Sequence, residues 1–125
     1  MLVVDDAPSI RLLCRVNLEL DGFRVVEAGT LAVARALLET EPVAVVLLDM
    51  HIGPERGDTL LAEIRGRERR IPVVVVTGSV EVDTGERTVD ADAVLGKPFT
   101  IEELTSTVRA LAGGDVPPVG RLPIL

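Results

Sequence analysis

The chain has 125 residues, 47% apolar and 26% charged, which suits one compact domain and leaves no room for a second of ordinary size. Thirteen Lys and Arg against twenty Asp and Glu give a net charge of −7, so most of the surface repels nucleic acid and anionic lipid. The apolar runs fall far short of the ~20 residues that cross a bilayer. The first six residues lack the pattern of a secretory leader, and the single cysteine, Cys14, cannot form an internal disulfide, so a cytoplasmic setting is expected.

Leu2 to Val4 reads as a first strand, followed by helical spacing over 8–21. That helix has a wide apolar arc of Ile10, Leu12, Leu13, Val16, Leu18 and Leu20, with Arg11, Arg15 and Glu19 confined to the remainder. One face suffices for a sheet, so the surplus suggests a partner, or simply a core helix with a few exposed leucines. Asn17 sits in the arc and needs a hydrogen-bond partner where buried.

Arg24 to Val26 reads as a second strand, 30–40 as a helix, and Val43 to Leu48 as a third strand, the most apolar and therefore central. A helix over 59–69 ends in Arg65, Arg67, Arg69 and Arg70, which read as a solvated terminus complementing the helix dipole. Val73 to Val76 and Ala93 to Leu95 form the fourth and fifth strands. Between them Val80, Val82, Val89 and Ala91 share no helical face, so a short or irregular fourth helix is expected.

The last helix, 101–112, carries a T-x-x-E capping box at Thr100 and Glu103, a staple from Phe99 to Leu104, and a buried stripe of Ile101, Leu104, Val108 and Leu111. Residues 113–125 are rich in proline and glycine and read as a linker or C-terminal tail beyond a domain at 1–112. The alternation of strand and helix implies right-handed crossovers and a three-layer α/β sandwich around a parallel sheet.

Ligands of such sheets bind beyond the carboxyl ends of the strands. Asp5 and Asp6 close the first strand, Asp49 the third and Thr77 the fourth, and Lys97 follows the fifth. Asp6 alone reads equally well as a helix cap. Three carboxylates together repel one another and call for a cation. A hard divalent ion, Mg²⁺ or Mn²⁺, fits oxygen ligands of this kind, whereas a zinc site lacks its cysteines and histidines. A carboxylate, a metal, a hydroxyl and an ammonium are the parts needed for phosphoryl transfer to an aspartate, with Asp49 as nucleophile.

Four motifs in order, Leu2-Val3-Val4-Asp5-Asp6, Val46-Leu47-Leu48-Asp49-Met50 with Gly57 eight residues on, Val74-Val75-Val76-Thr77-Gly78 and Gly96-Lys97-Pro98-Phe99, resemble the receiver domain of two-component response regulators over about residues 1–112. The resemblance implies a (βα)5 flavodoxin-like fold of strand order 2-1-3-4-5. It implies that Asp49 accepts a phosphoryl group from a histidine kinase or phosphotransfer protein, the kinase docking on the first helix. Asp5, Asp6, Asp49 and the main-chain carbonyl of His51 would hold Mg²⁺, and Thr77 and Lys97 would contact the phosphoryl oxygens. The Lys97–Pro98 peptide is expected to be cis. A homodimer or a downstream effector would receive the output, either from a stand-alone receiver or from one that begins a longer regulator.

Three departures stand out. Val94 occupies the place of the family's aromatic switch residue, Gly53 occupies that of its loop proline, with Pro54 one place late, and the Thr77–Lys97 interval is about two residues short. His51 and Ser79 are candidates for tuning phosphoryl lifetime, against a plainer reading of His51 as an exposed loop side chain whose carbonyl alone matters. Such a domain is a switch that catalyses its own phosphorylation and slow dephosphorylation, and is not otherwise an enzyme. Two rivals remain: an interaction module that is never phosphorylated, and an aspartyl-phosphate hydrolase of the haloacid dehalogenase type. The hydrolase wants an aspartate where His51 stands.

Overall fold

The computed structural model describes residues 1–78 and 91–112. The elements run β1 (Leu2–Val4), α1 (Pro8–Leu20), β2 (Val26–Ala28), α2 (Leu31–Thr40), β3 (Val46–Asp49), β4 (His51–Ile52), β5 (Glu55–Arg56), α3 (Gly57–Arg65), β6 (Val73–Thr77), β7 (Ala93–Gly96) and α4 (Ile101–Leu111). Five strands form one parallel sheet of order β2-β1-β3-β6-β7, which is the expected 2-1-3-4-5 once the small β4–β5 ladder is set aside. The fourth helix, Ser79 and the 113–125 tail of the sequence reading lie outside the described residues.

Successive strand residues point to opposite faces, and both faces are covered, which is why the strands read as unbroken apolar runs. Leu2, Val4, Val46, Leu48, Val73 and Val75 meet α2 and α3 through Leu31, Ala34, Leu38, Leu60 and Ile64. Val3, Val45, Leu47, Val74 and Val76 meet Cys14 and Leu18 of α1 and Leu104 and Val108 of α4. Burial pushes the Cys14 thiol up to about 11, as a small core residue should be. Arg109 of α4 binds Asp21 at the end of α1 at 2.9 Å, so the two helices on this face are joined by charge as well as by packing.

Three elements are shifted by more than one residue from the sequence reading, and one of them is the third strand, which is Val46–Asp49 and not 43–48. The second strand is Val26–Ala28, not 24–26, because Glu27 lies in it: this edge-strand acid is held by Arg11 at 3.1 Å and Arg15 at 2.9 Å, and it breaks the apolar run. The third helix starts earlier, at Gly57, and stops at Arg65 before Gly66. The arginines at its end and just beyond do more than face solvent. Arg65 donates to the Ile71 carbonyl and to Asp92, Arg67 to the Leu38 carbonyl and Glu39, Arg69 to the Val43 carbonyl, and Arg70 to Asp92.

In the last helix both bonds of the Thr100–Glu103 capping box are formed, and of the expected stripe Leu104 and Val108 are buried while Ile101 and Leu111 are half-buried. Asn17 donates to the Leu13 carbonyl at 2.8 Å, one turn back in its own helix.

Candidate functional site

Asp5 leaves β1 at its carboxyl end and is buried. Its Oδ1 accepts the Ala7 N–H at 2.9 Å, and its carbonyl accepts Arg11 Nη1 at 2.8 Å. Arg11 reaches that carbonyl over Gly29, where a Cβ would stand 2.8 Å from Nη1. Asp6 is exposed, and it is not the cap of α1: the cap position is Ala7, without a side-chain bond. Its Oδ2 instead accepts the Gly53 N–H at 2.8 Å.

Asp49 ends β3, beside Val76 of β6, and is 5% exposed. Its Oδ1 accepts the His51 N–H at 3.1 Å and its Oδ2 lies 3.2 Å from Lys97 Nζ, which also stands 3.9 Å from Asp5 Oδ2. Lys97 is aimed there by two local features: its N–H donates to the Thr77 carbonyl at 2.8 Å, and β6 and β7 pair Thr77 with Gly96. The Lys97–Pro98 peptide is cis as expected. Thr77 is buried at the end of β6, on the same edge of the sheet. Thus Asp5, Asp6, Asp49, Thr77 and Lys97 all gather at the carboxyl ends of neighbouring strands.

The electrostatics of the cluster are unbalanced. Burial raises the Asp5 pKa, the charges of Asp49 and Asp6 add to that, and the Ala7 amide and Lys97 oppose it. One carboxylate oxygen from each of Asp5, Asp6 and Asp49 lies within 4.8 Å of the others, and among the described residues a single ammonium faces them. All the donors are oxygens, two of the acids are buried, and the deficit is about two positive charges, so the residues fit a hard divalent cation.

The other sequence candidates sit further out. The His51 side chain is exposed on β4, and Val94 lies on edge strand β7 and is 43% exposed. Three residues gain roles that residue type alone did not suggest. Arg11 and Gly53 hold the main chain of Asp5 and the carboxylate of Asp6, through contacts distant in sequence for Gly53 and dependent on the β2 edge for Arg11. Gly57 opens α3 against the main chain of the site: a Cβ there would stand 2.5 Å from the Asp49 carbonyl oxygen and 3.1 Å from Met50 Cα. Among the described residues, no helix is long and apolar enough to cross a membrane.

Known proteins resemble the chain in sequence and in fold. The chain is 33% identical over 115 residues to the DNA-binding dual master transcriptional regulator RpaA of Synechocystis, covering 89% of this chain and 48% of that protein. It is 32% identical over 112 residues to the transcriptional regulatory protein KdpE of Mycobacterium tuberculosis, covering 88% and 49%. The chain therefore spans about half the length of these relatives. Among solved structures, the response regulator TrrA of Thermotoga maritima, crystallised in complex with Mg²⁺-BeF, superposes with a TM-score of 0.79 at 26% identity, over 88% of this chain and 96% of that one. The profile of the response regulator receiver domain matches residues 1–109, and the chain belongs to that family.

Proposed function

We propose that this receiver domain takes a phosphoryl group on Asp49 from a histidine kinase or phosphotransfer protein and uses it as a switch. The observation that carries the reading is the seating of Asp49, buried, with Oδ2 at 3.2 Å from Lys97 and within reach of two further carboxylates. An Asp49 oxygen attacks phosphorus, the bond from phosphorus to the donor's nitrogen or oxygen breaks, and the donor leaves with that electron pair. Lys97 supplies a fixed positive charge to an equatorial oxygen, and the Thr77 hydroxyl supplies a donor to another once it turns inward. Asp5, Asp6, Asp49 and the His51 carbonyl would hold Mg²⁺, or Mn²⁺, which would supply positive charge against the negative charge developing on the transferred group.

The same arrangement gives the domain its own slow dephosphorylation, in which water attacks the acyl phosphate and Asp49 is regenerated. His51, exposed two residues past Asp49, is placed by sequence to influence that water, and Ser79 is the second candidate. Drawing Thr77 and Lys97 toward the phosphoryl group shifts the ends of β6 and β7, and Val94 carries no bulky ring to follow them.

The docking face for the phosphodonor is α1. Leu12, Leu13, Val16 and Leu20 are all exposed there, whereas Cys14 and Leu18 of the same helix are buried. Four exposed apolar side chains within one 100° arc suit the helix of a donor protein in the cytoplasm. The output passes to a homodimer or an effector, as the half-length match to transcriptional regulators suggests.

The test is incubation with acetyl phosphate and Mg²⁺, read by intact mass and peptide mapping. One phosphoryl group on Asp49, absent in Asp49→Asn and in EDTA, is expected. Many turnovers without a lasting adduct would favour the hydrolase, and no adduct under any donor would favour the inert module.

A further inference from the structure

We infer that the β4–β5 hairpin is an amide clamp in which Gly53 is a positioning residue for Asp6, holding that carboxylate ready for the cation it shares with Asp49 and Asp5. The inference rests on the cation-dependent reading given above. Two main-chain amides of this one hairpin grip two of the three acids: the His51 N–H binds Asp49 Oδ1 at 3.1 Å, and the Gly53 N–H binds Asp6 Oδ2 at 2.8 Å. They are two residues apart, the spacing at which an extended strand points its groups to the same side. Two partial positive charges thus stand behind acids that repel one another.

The geometry of the turn supplies the second donor. His51 pairs with Arg56 and Ile52 with Glu55, which leaves Gly53 and Pro54 as the turn. Gly53 has φ +59°, the left-handed value that the first central position of a type II′ turn requires, and proline suits the position after it. The antiparallel ladder is closed by the Ile52–Glu55 pair, so the Gly53 N–H is left to point away from it. Asp6 takes that donor.

The clamp matters most for Asp6, the exposed member of the trio. A free surface carboxylate loses rotamer freedom when it binds an ion, and one already held by an amide loses less, so the ion binds more tightly. Coupling of this kind is reciprocal. A cation that gains from the tether must also steady the hairpin, and with it the loop that bears His51.

Calorimetric titration of the full chain with Mg²⁺ tests this, comparing wild type with a semisynthetic chain in which glycolic acid replaces Gly53, so that an ester oxygen stands where the N–H was and the backbone keeps its freedom at positive φ, and with Gly53→Asn, which keeps the N–H and tolerates the left-handed backbone. The ester chain is expected to bind Mg²⁺ about three- to tenfold more weakly, the ordering cost of one side chain, and Gly53→Asn to stay within about twofold of wild type. Hydrogen exchange at the wild-type Gly53 amide is expected to slow when Mg²⁺ is added. Equal affinity in the ester chain and wild type, equal loss in both variants, or Gly53 exchange that ignores Mg²⁺ would overturn the clamp and leave the receiver reading standing. A wild-type chain that takes up no Mg²⁺ would overturn both.

Discussion

Asp5 and Arg11 meet through the main chain rather than through their charges: the guanidinium donates to the Asp5 carbonyl at 2.8 Å while the carboxylate turns the other way, toward Asp49 and Lys97. Arg11 therefore fixes the end of β1 without neutralising the acid that β1 delivers. In the absence of a divalent ion, the buried Asp5 carboxylate faces two like charges and one ammonium at 3.9 Å. Asp5→Asn keeps an acceptor for the Ala7 N–H and removes the repulsion. It is expected to raise stability at neutral pH in EDTA by on the order of 1 kcal/mol, as read by denaturant unfolding. Saturating Mg²⁺ should close the gap, and a variant less stable than wild type in EDTA would contradict this account.

Asp92 does structural work at the opposite end of the sheet, where it binds Arg65 at 2.7 Å, the Val73 N–H at 2.8 Å, and Arg70. Burial pushes its pKa up, but the Val73 amide and the two arginines outweigh burial and hold it below the ordinary 3.8. A lowered folded-state value means the contribution is present above the unfolded pKa and is lost as pH falls through the folded one. Asp92→Ala should therefore cost about 2 kcal/mol at neutral pH, with the gap to wild type narrowing only below about pH 3.8. Urea unfolding at several pH values checks this; a gap that closes between pH 7 and 5 would refute it.

Two glycines beside the site make opposite forecasts. An added Cβ at Gly57 would lie 2.5 Å from the Asp49 carbonyl oxygen, whereas at Gly78, among the described residues, it would meet Lys97 carbons at 3.7 Å. Gly57→Ala is expected to destabilise by about 1–3 kcal/mol and to shift the amide resonances of Asp49 and Met50. Gly78→Ala should fold with near wild-type stability. Thermal unfolding and amide spectra of both variants decide the matter, and equal behaviour would show that neither contact governs the site.

The parallel sheet was legible because buried strands write unbroken apolar runs such as Val73 to Val76, and the start of the last helix because the T-x-x-E box marks it, whereas the strand order came from the family resemblance and not from the runs themselves. The five residues of the site were legible because strand ends carry them into one place. Glu27 was not, since an edge strand tolerates an acid where a helix can pair with it, and the second strand was displaced accordingly. The hairpin at 51–56 was missed for a different reason: two-residue strands are too short to show any alternation, although Gly53-Pro54 is a turn signal. The arginines after α3 show the same limit, for composition gave their solvated setting while their carbonyl partners depend on tertiary proximity.

A crystal structure with Mg²⁺ and beryllofluoride tests the central claim most directly, that Asp5, Asp6 and Asp49 share one cation while Asp49 keeps an oxygen for phosphorus. The expected result is beryllium joined to an Asp49 carboxylate oxygen, Lys97 Nζ on a fluoride, Thr77 turned to another, and the metal among the three acids. Beryllofluoride on a different residue, or a metal bound without Asp49, would contradict it.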